Sequence, residues 1–236
     1  MIQFNDFQPR RVTTYVTRFV VGSLLLLALP MPSLEAQPTS VGDVSRAIEL
    51  HYNRLATLSI DFEQTLSYGG SSRPAESGTV SLLRPNRMRW DYNDPKGKVL
   101  VGDGQRLFMF NPYTNQVRTV LLNESVDLRA PLSFLLGRLD FSRQFRDLRF
   151  EMIDGNRALV GEGRSGREAY STVEFYFDPK QDYRLTRLRA HGHDESVTDF
   201  IFSNERTNPR LDEALFTFEA PAGAEILPET ELGDNR

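Results

Sequence analysis

The first long periodic segment of the chain predicts a helix. Between residues 40 and 58, apolar residues recur at the three- and four-residue spacing of an amphipathic helix. Ser40, followed three residues later by Asp43, is typical of a capped helix start. The apolar positions are Val41, Val44, Ile48, Tyr52 and Leu55. From Ser59 onward the period changes to two, so a strand is expected to begin there.

Turn signals rich in glycine, asparagine, aspartate and proline then recur about every eight to twelve residues. They lie at 69–70, 93–97, 103–104, 111–115, 154–156 and 178–180. Short alternating segments lie between them, for example Met88, Trp90 and Tyr92. This pattern predicts roughly 10 or 11 strands that follow one another as an antiparallel meander, not a series of βαβ units.

Two further helices are expected within this sheet-rich region. Residues 130–138 begin with proline and are apolar on nearly every side, within an excursion of about 25 residues that is longer than usual connections. This segment is interpreted as a lid or a plug. A second short helix at 212–215 is expected to precede a last strand at 216–218. Since a sheet this long should curl around its apolar face, the helices at 40–58 and 130–138 are its available covers.

The N-terminal residues have the layout of a secretory signal. Arg10, Arg11 and Arg18 precede an apolar run of eleven residues at 19–29. That run is too short to cross a bilayer as a helix, which needs roughly 20 residues. We therefore expect secretion, with a signal peptide at 1–36 followed by a single domain at 37–236.

Composition excludes several classes of protein. The chain has no cysteine, so a disulfide framework, a thiolate metal site, a cysteine nucleophile and lipidation of its own N-terminus are all ruled out. Without the three arginines and two acidic residues of the leader, 25 basic and 30 acidic residues remain, a net charge of −5. This charge argues against nucleic acid as a partner.

Candidate catalytic chemistry is sparse. The chain has no Gly-x-Ser-x-Gly elbow, and no paired-carboxylate motif stands out, so we predict that it is not an enzyme and uses no cofactor. His191 and His193 would place two imidazoles on one strand face near Asp194 and Glu195. A third metal ligand is not apparent, and no metal site is predicted.

An ordered set of short motifs resembles a known family. The motifs are Arg84-Pro85-Asn86 leading to Trp90, then Asp103-Gly104, Leu107-Phe108 and Asn111-Pro112, and finally Ala214-Leu215-Phe216-Thr217-Phe218 before Pro221 and Gly223. Together they resemble the periplasmic outer-membrane lipoprotein carrier family, LolA. The likeness extends over about residues 43–227 and is densest at 78–120.

The resemblance implies a mainly β fold with helices: an unclosed antiparallel β-barrel of about 11 strands with a helical lid over a hydrophobic cavity. It implies a monomeric carrier that takes acylated lipoproteins from an inner-membrane ABC transporter and delivers them to an outer-membrane acceptor. In the family, the arginine of the Arg-Pro pair holds the empty lid closed through hydrogen bonds to lid backbone, and Arg84 stands at that position.

Lipid contacts are expected from large apolar side chains of the strands and of the lid. These residues are Met88, Trp90, Phe108, Phe110, Leu132, Phe134, Leu135, Leu136, Phe175 and Phe200. Met88 occupies a position that is often phenylalanine in relatives, and its flexible thioether adapts to irregular chains.

Other interpretations fit the same residues. Each aromatic side chain, taken alone, would also serve as ordinary core. A periplasmic lipid- or glycolipid-binding or sensing protein could use the same barrel for a different cargo, since fold does not dictate function. A structural envelope protein with a fully packed barrel would bind nothing.

Overall fold

The computed structural model describes residues 40–121, 139–164 and 170–227. The predicted signal peptide at 1–36 and the predicted helix at 130–138 lie outside these residues. None of the helices in the described ranges is long and apolar enough to span a membrane.

The expected N-terminal helix is present as α1, Val41–Asn53. Its N-cap is Ser40, whose hydroxyl accepts a hydrogen bond from the Asp43 amide at 3.1 Å. The helix ends before residue 58, because Arg54 is its C-cap and strand β1 begins at Thr57.

The described residues form thirteen strands in one sheet. They are β1 Thr57–Tyr68, β2 Ser71–Ser72, β3 Glu76–Leu83, β4 Arg87–Asp94, β5 Val99–Gly102, β6 Arg106–Asn111, β7 Gln116–Leu121, β8 Phe145–Ile153, β9 Asn156–Gly163, β10 Tyr170–Asp178, β11 Arg184–Gly192, β12 Val197–Thr207 and β13 Glu225–Ile226. Two of these, β2 and β13, have only two residues each, so the predicted 10 or 11 strands correspond to the longer ones.

The order of strands across the sheet is β13-β7-β6-β5-β4-β3-β1-β12-β11-β10-β9-β8, with β2 paired to β1. The fold is therefore the expected unclosed sheet, with β13 and β8 at its two ends. It departs from a plain antiparallel meander at two places, because β1 pairs with β12 as well as with β3, and the short strand β13 pairs in parallel with β7. The first and the last long strands thus meet in the middle of the sheet.

The remaining helical turns are short. Helix α2, Phe141–Gln144, precedes β8, and single 3-10 turns occupy Pro179–Gln181 and Glu213–Phe216. The strand predicted at 216–218 is not formed. Phe218 instead stacks on Phe108 of β6, with ring centroids 5.1 Å apart, because the C-terminal segment packs across the outside of the sheet.

One face of the sheet packs against α1 in a single apolar cluster, and we call this face the inner face. Helix α1 contributes Val44, Ile48 and Tyr52 to the cluster, and Leu55 follows just after the helix. Strands from both halves of the sheet contribute, including Ile60, Val80, Trp90, Leu107, Val173, Phe175, Leu188 and Phe200. Helix α1 therefore lies over the apolar side of the sheet, as its amphipathic pattern requires.

Candidate functional site

The C-terminal end of α1 is fastened to the sheet through Tyr52. The Tyr52 hydroxyl donates a hydrogen bond to Glu205 Oε2 at 2.8 Å and accepts one from the Leu185 amide at 2.7 Å. Its side chain is 1% exposed, and this burial raises the pKa of the phenol well above its usual value. These two hydrogen bonds satisfy the buried hydroxyl and hold the end of the helix against β11 and β12.

His51 makes further polar contacts with the sheet side at the same end of the helix. Its Nδ1 lies 2.9 Å from Asp182 Oδ2, and its Nε2 lies 3.0 Å from Glu205 Oε1. Ionised carboxylates only accept hydrogen bonds, so both ring nitrogens must carry protons to satisfy this geometry. His51 is therefore an imidazolium in this arrangement, and Arg54 pairs with the same Asp182.

The start of α2 meets the other side of α1. Asn53 donates from Nδ2 to the Leu139 carbonyl at 2.8 Å, and its Oδ1 accepts from the Leu139 amide at 2.7 Å. Glu49 accepts from the Phe141 amide at 2.8 Å. These bonds couple α1 to the chain that leads into β8.

Arg84 also contacts α1. Its Nη2 donates to the Tyr52 carbonyl at 3.1 Å, and this is one of several interactions that Arg84 makes. Burial lowers the pKa of Arg84 from its usual value. This carbonyl, at the C-terminal end of α1, also accepts from the Leu55 amide at 3.2 Å. The contact expected between Arg84 and the backbone of the lid at 130–138 falls outside the described residues and stays a prediction.

Four of the predicted lipid-contacting residues belong to the inner cluster. Met88, Trp90, Phe175 and Phe200 are all buried there, and the rings of Trp90 and Phe200 pack edge to face at 5.7 Å. The indole N–H of Trp90 has no hydrogen-bond partner within the described residues.

Phe108 and Phe110 lie on the other face of the sheet. In β6, Leu107 and Met109 contact the inner cluster, while Phe108 stacks on Phe218 and Phe110 faces the C-terminal segment. Alternation along a strand sends neighbouring side chains to opposite faces. The structure therefore places these two phenylalanines outside the inner cluster, although Phe110 also lines a cavity beside that cluster. Leu132, Phe134, Leu135 and Leu136 lie outside the described residues.

A cavity of about 470 Å³ lies beside the inner cluster. Its wall includes the apolar Tyr92, Leu100, Met109 and Leu227, and its polar lining includes Glu76, Lys98, Gln116 and Arg118. The turns that join β4 to β5 and β6 to β7 contribute its rim. Burial raises the pKa of Tyr92 well above its usual range.

The histidine pair does not form a metal site with its neighbours. Strand β11 ends at Gly192, so His193 lies in the following turn, not on the strand face beside His191. His191 Nε2 bonds Glu174 Oε1 at 2.6 Å. Within the described ranges no group of three or more His, Asp or Glu side chains is arranged to hold a metal.

Comparison with known proteins identifies the family. The family model described as outer membrane lipoprotein carrier protein LolA matches residues 53–219 of this chain. The chain belongs to the LolA family. It is 25% identical to an outer-membrane lipoprotein carrier protein of Methylobacillus flagellatus over 90% of this chain and 100% of that one. It is 29% identical to one of Xylella fastidiosa over 73% of this chain and 82% of that one.

Among solved structures, a LolA superfamily protein from Nitrosomonas europaea is similar to this chain. It has a TM-score of 0.43 and 12% sequence identity, and the match covers 77% of this chain and 99% of that one.

The sequence did not predict the polar contacts that hold α1 against the sheet. His51, Asp182 and Glu205 are far apart in the chain and carry no motif. The only local signal was a histidine next to Tyr52 in the amphipathic pattern. The sequence also contained no sign that Arg118 lines the cavity, because a single arginine in a strand looks like an ordinary surface residue.

The His51 contacts predict a pH dependence of stability. Burial lowers the pKa of His51, but hydrogen bonds with Glu205 and Asp182 outweigh it, and the net pKa is raised from 6.5. A raised pKa in the folded state contributes stability that is fully present below 6.5 and is lost as pH rises through the folded-state value. We expect urea denaturation to give a smaller contribution of His51 to the free energy of unfolding at about pH 9 than at about pH 6.

His51→Gln should remove this part of the pH dependence, whereas the exposed His193→Gln should retain it. The chain has only 3 histidines, so each titration can be followed by NMR. A His51 midpoint at or below the ordinary value would contradict the assignment.

Proposed function

We propose that this chain is a periplasmic carrier of acylated lipoproteins. It would bind the acyl chains of lipoproteins released from the inner membrane by an ABC transporter and deliver them to an acceptor at the outer membrane. Residues 1–36 would be removed as a signal peptide, and residues 37–236 would act as a monomeric carrier domain. The observation that carries the proposal is an amphipathic helix lying over the apolar face of an unclosed sheet.

The energetics explain why such a protein is needed. Burial of a CH₂ group is worth about 0.8 kcal/mol, so an acyl chain leaves a membrane for water only at a cost of roughly 10 kcal/mol. An apolar surface that receives the chain offsets most of this cost. Transfer between membranes then becomes nearly neutral, and no covalent bond has to be made or broken.

The inner face of this sheet must also be protected when no cargo is bound. A large exposed apolar patch promotes association with other proteins. Val44, Ile48, Tyr52 and Leu55 cover part of that face, and polar bonds at His51 and Tyr52 hold them there. We infer that acyl chains and covering side chains compete for the same surface, with Arg84 among the residues that favour the covered state.

The proposal is tested by releasing lipoproteins from spheroplasts in the presence of residues 37–236. We expect a soluble complex with an acylated lipoprotein and none with the same protein lacking its acyl chains. Solubilisation of both forms, or of neither, would contradict carriage through acyl chains. A second assay with free glycolipid separates the proposal from a glycolipid-sensing role.

A further inference from the structure

A row of side chains crosses four neighbouring strands on the inner face. Trp90 in β4 is opposite Leu100 in β5, Leu100 is opposite Met109 in β6, and Met109 is opposite Arg118 in β7. Residues that are directly opposed across strands lie on the same face of a sheet. The row is therefore apolar over three strands and ends in a cation.

Arg118 is the uncompensated charge of this region. The other cation at the cavity, Lys98, contacts both carboxylate oxygens of Glu76 at 2.6 and 2.7 Å and lies over the Tyr92 ring at 4.3 Å. Arg118 is exposed and forms no hydrogen bond or ion pair with any residue in the described part of the chain. A guanidinium presents a planar fork of donors that matches carboxylate and phosphate groups.

The cavity beside this row combines the two features that an amphiphile requires. Leu100, Met109, Tyr92 and Leu227 form an apolar wall, and Arg118 stands at the same cavity. A volume of about 470 Å³ is in the range of small-molecule sites. The lining thus favours an elongated apolar chain that carries one negative charge at its end.

We propose that this cavity binds a single-chain lipid with an anionic head, either a carboxylate or a phosphate. Its head group contacts Arg118, and its chain follows Met109 and Leu100 towards Trp90. This ligand differs in class from an acylated protein, whose acyl chains are attached through neutral ester or amide groups. The inference therefore goes beyond the proposed carrier function and does not depend on it.

The test compares anionic and neutral lipids of equal chain length, each below its micelle concentration. The probes are palmitate, palmitoyl lysophosphatidylglycerol and the uncharged monopalmitoylglycerol. Trp90 is the single tryptophan of the chain, so its fluorescence reports occupancy of the row. We expect Arg118→Gln to raise the Kd of an anionic probe about fivefold and to leave that of monopalmitoylglycerol unchanged.

Two control variants make the result specific. Arg210→Gln removes an exposed arginine that does not line the cavity, and it should leave every Kd unchanged. Met109→Gln places a polar group in the apolar wall and should raise the Kd of all three lipids. A loss confined to palmitate assigns a carboxylate head, and one confined to the lysophospholipid assigns a phosphate head.

Equal effects of Arg118→Gln on charged and uncharged lipids would overturn the proposal, as would no binding of either anionic probe by the wild-type protein. The lipoprotein-release assay uses a different ligand. If the protein binds palmitate but releases no lipoprotein, the result counts against lipoprotein carriage alone. If it releases lipoprotein but binds neither anionic probe, the result counts against the Arg118 site alone.

Discussion

Replacement of Glu205 by leucine is expected to lower the free energy of unfolding by about 3 kcal/mol. The Glu205 side chain is 3% exposed and accepts hydrogen bonds from both Tyr52 and His51. Its removal leaves a buried imidazolium and a buried hydroxyl each without one partner, and an abandoned buried charge is the costly part. Urea denaturation monitored by circular dichroism measures the change.

Two variants separate this network from a general effect of removing a carboxylate. Glu205→Gln retains an acceptor for the Tyr52 hydroxyl and should destabilise the protein less than Glu205→Leu. Glu63→Gln removes an exposed carboxylate of β1 and should change stability by less than about 0.5 kcal/mol. Equal losses in Glu205→Leu and Glu63→Gln would contradict a special role for the fastening of α1.

The elements with local signals could be predicted from the sequence. The cap at Ser40, the period of α1 and the turns rich in glycine and asparagine are each specified by neighbouring residues. Asn115 and Asp154, for instance, adopt positive φ at the tips of the hairpins β6–β7 and β8–β9. Such local agreement between sequence and backbone also supported the number of long strands.

The sequence could not predict which side chains of β6 lie on the inner face, since four consecutive residues, Leu107 to Phe110, are apolar. A continuous apolar strand is buried on both faces, and its period does not tell which side is the interior. The C-terminal segment covers Phe108 and Phe110 from outside, and that contact joins residues about a hundred positions apart in the chain. Pairing of β1 with β12 is hidden for the same reason.

The residues of the candidate site likewise fall into those with a local sequence signal and those whose contacts depend on the tertiary structure. Met88 and Trp90 alternate cleanly with Arg87 and Arg89, and the structure buries the two apolar side chains. The Arg84 contact, by contrast, depends on where the end of α1 lies in space. The resemblance to a family supplied only the expectation of a contact between Arg84 and lid backbone, and no periodicity in the sequence indicated the contact with Tyr52.

Arg84→Leu is expected to hold acylated cargo more tightly than the wild-type chain and to deliver it at least about tenfold less efficiently. A hydrogen bond from a charged donor contributes about 1.5–3 kcal/mol, and Arg84 bonds the Tyr52 carbonyl with α1 packed on the sheet, so under the proposed competition this bond favours the covered state. Its loss destabilises the covered, empty state relative to the loaded one. A shift of 1.4 kcal/mol in that equilibrium corresponds to about a tenfold change.

The measurement is release of a lipoprotein from spheroplasts followed by its transfer to outer-membrane vesicles, with each step scored separately. Arg84→Leu should complete the first step and stall at the second. Arg87→Leu is the matched control, because Arg87 pairs with the exposed Glu213 on the outer side of the sheet at 2.9 Å and should support both steps. The covered state can also be followed directly, since loss of the Tyr52 contact should increase hydrogen exchange at the end of α1 in the empty Arg84→Leu protein. Wild-type transfer by Arg84→Leu, together with unchanged exchange in α1, would mean that the helix does not compete with cargo.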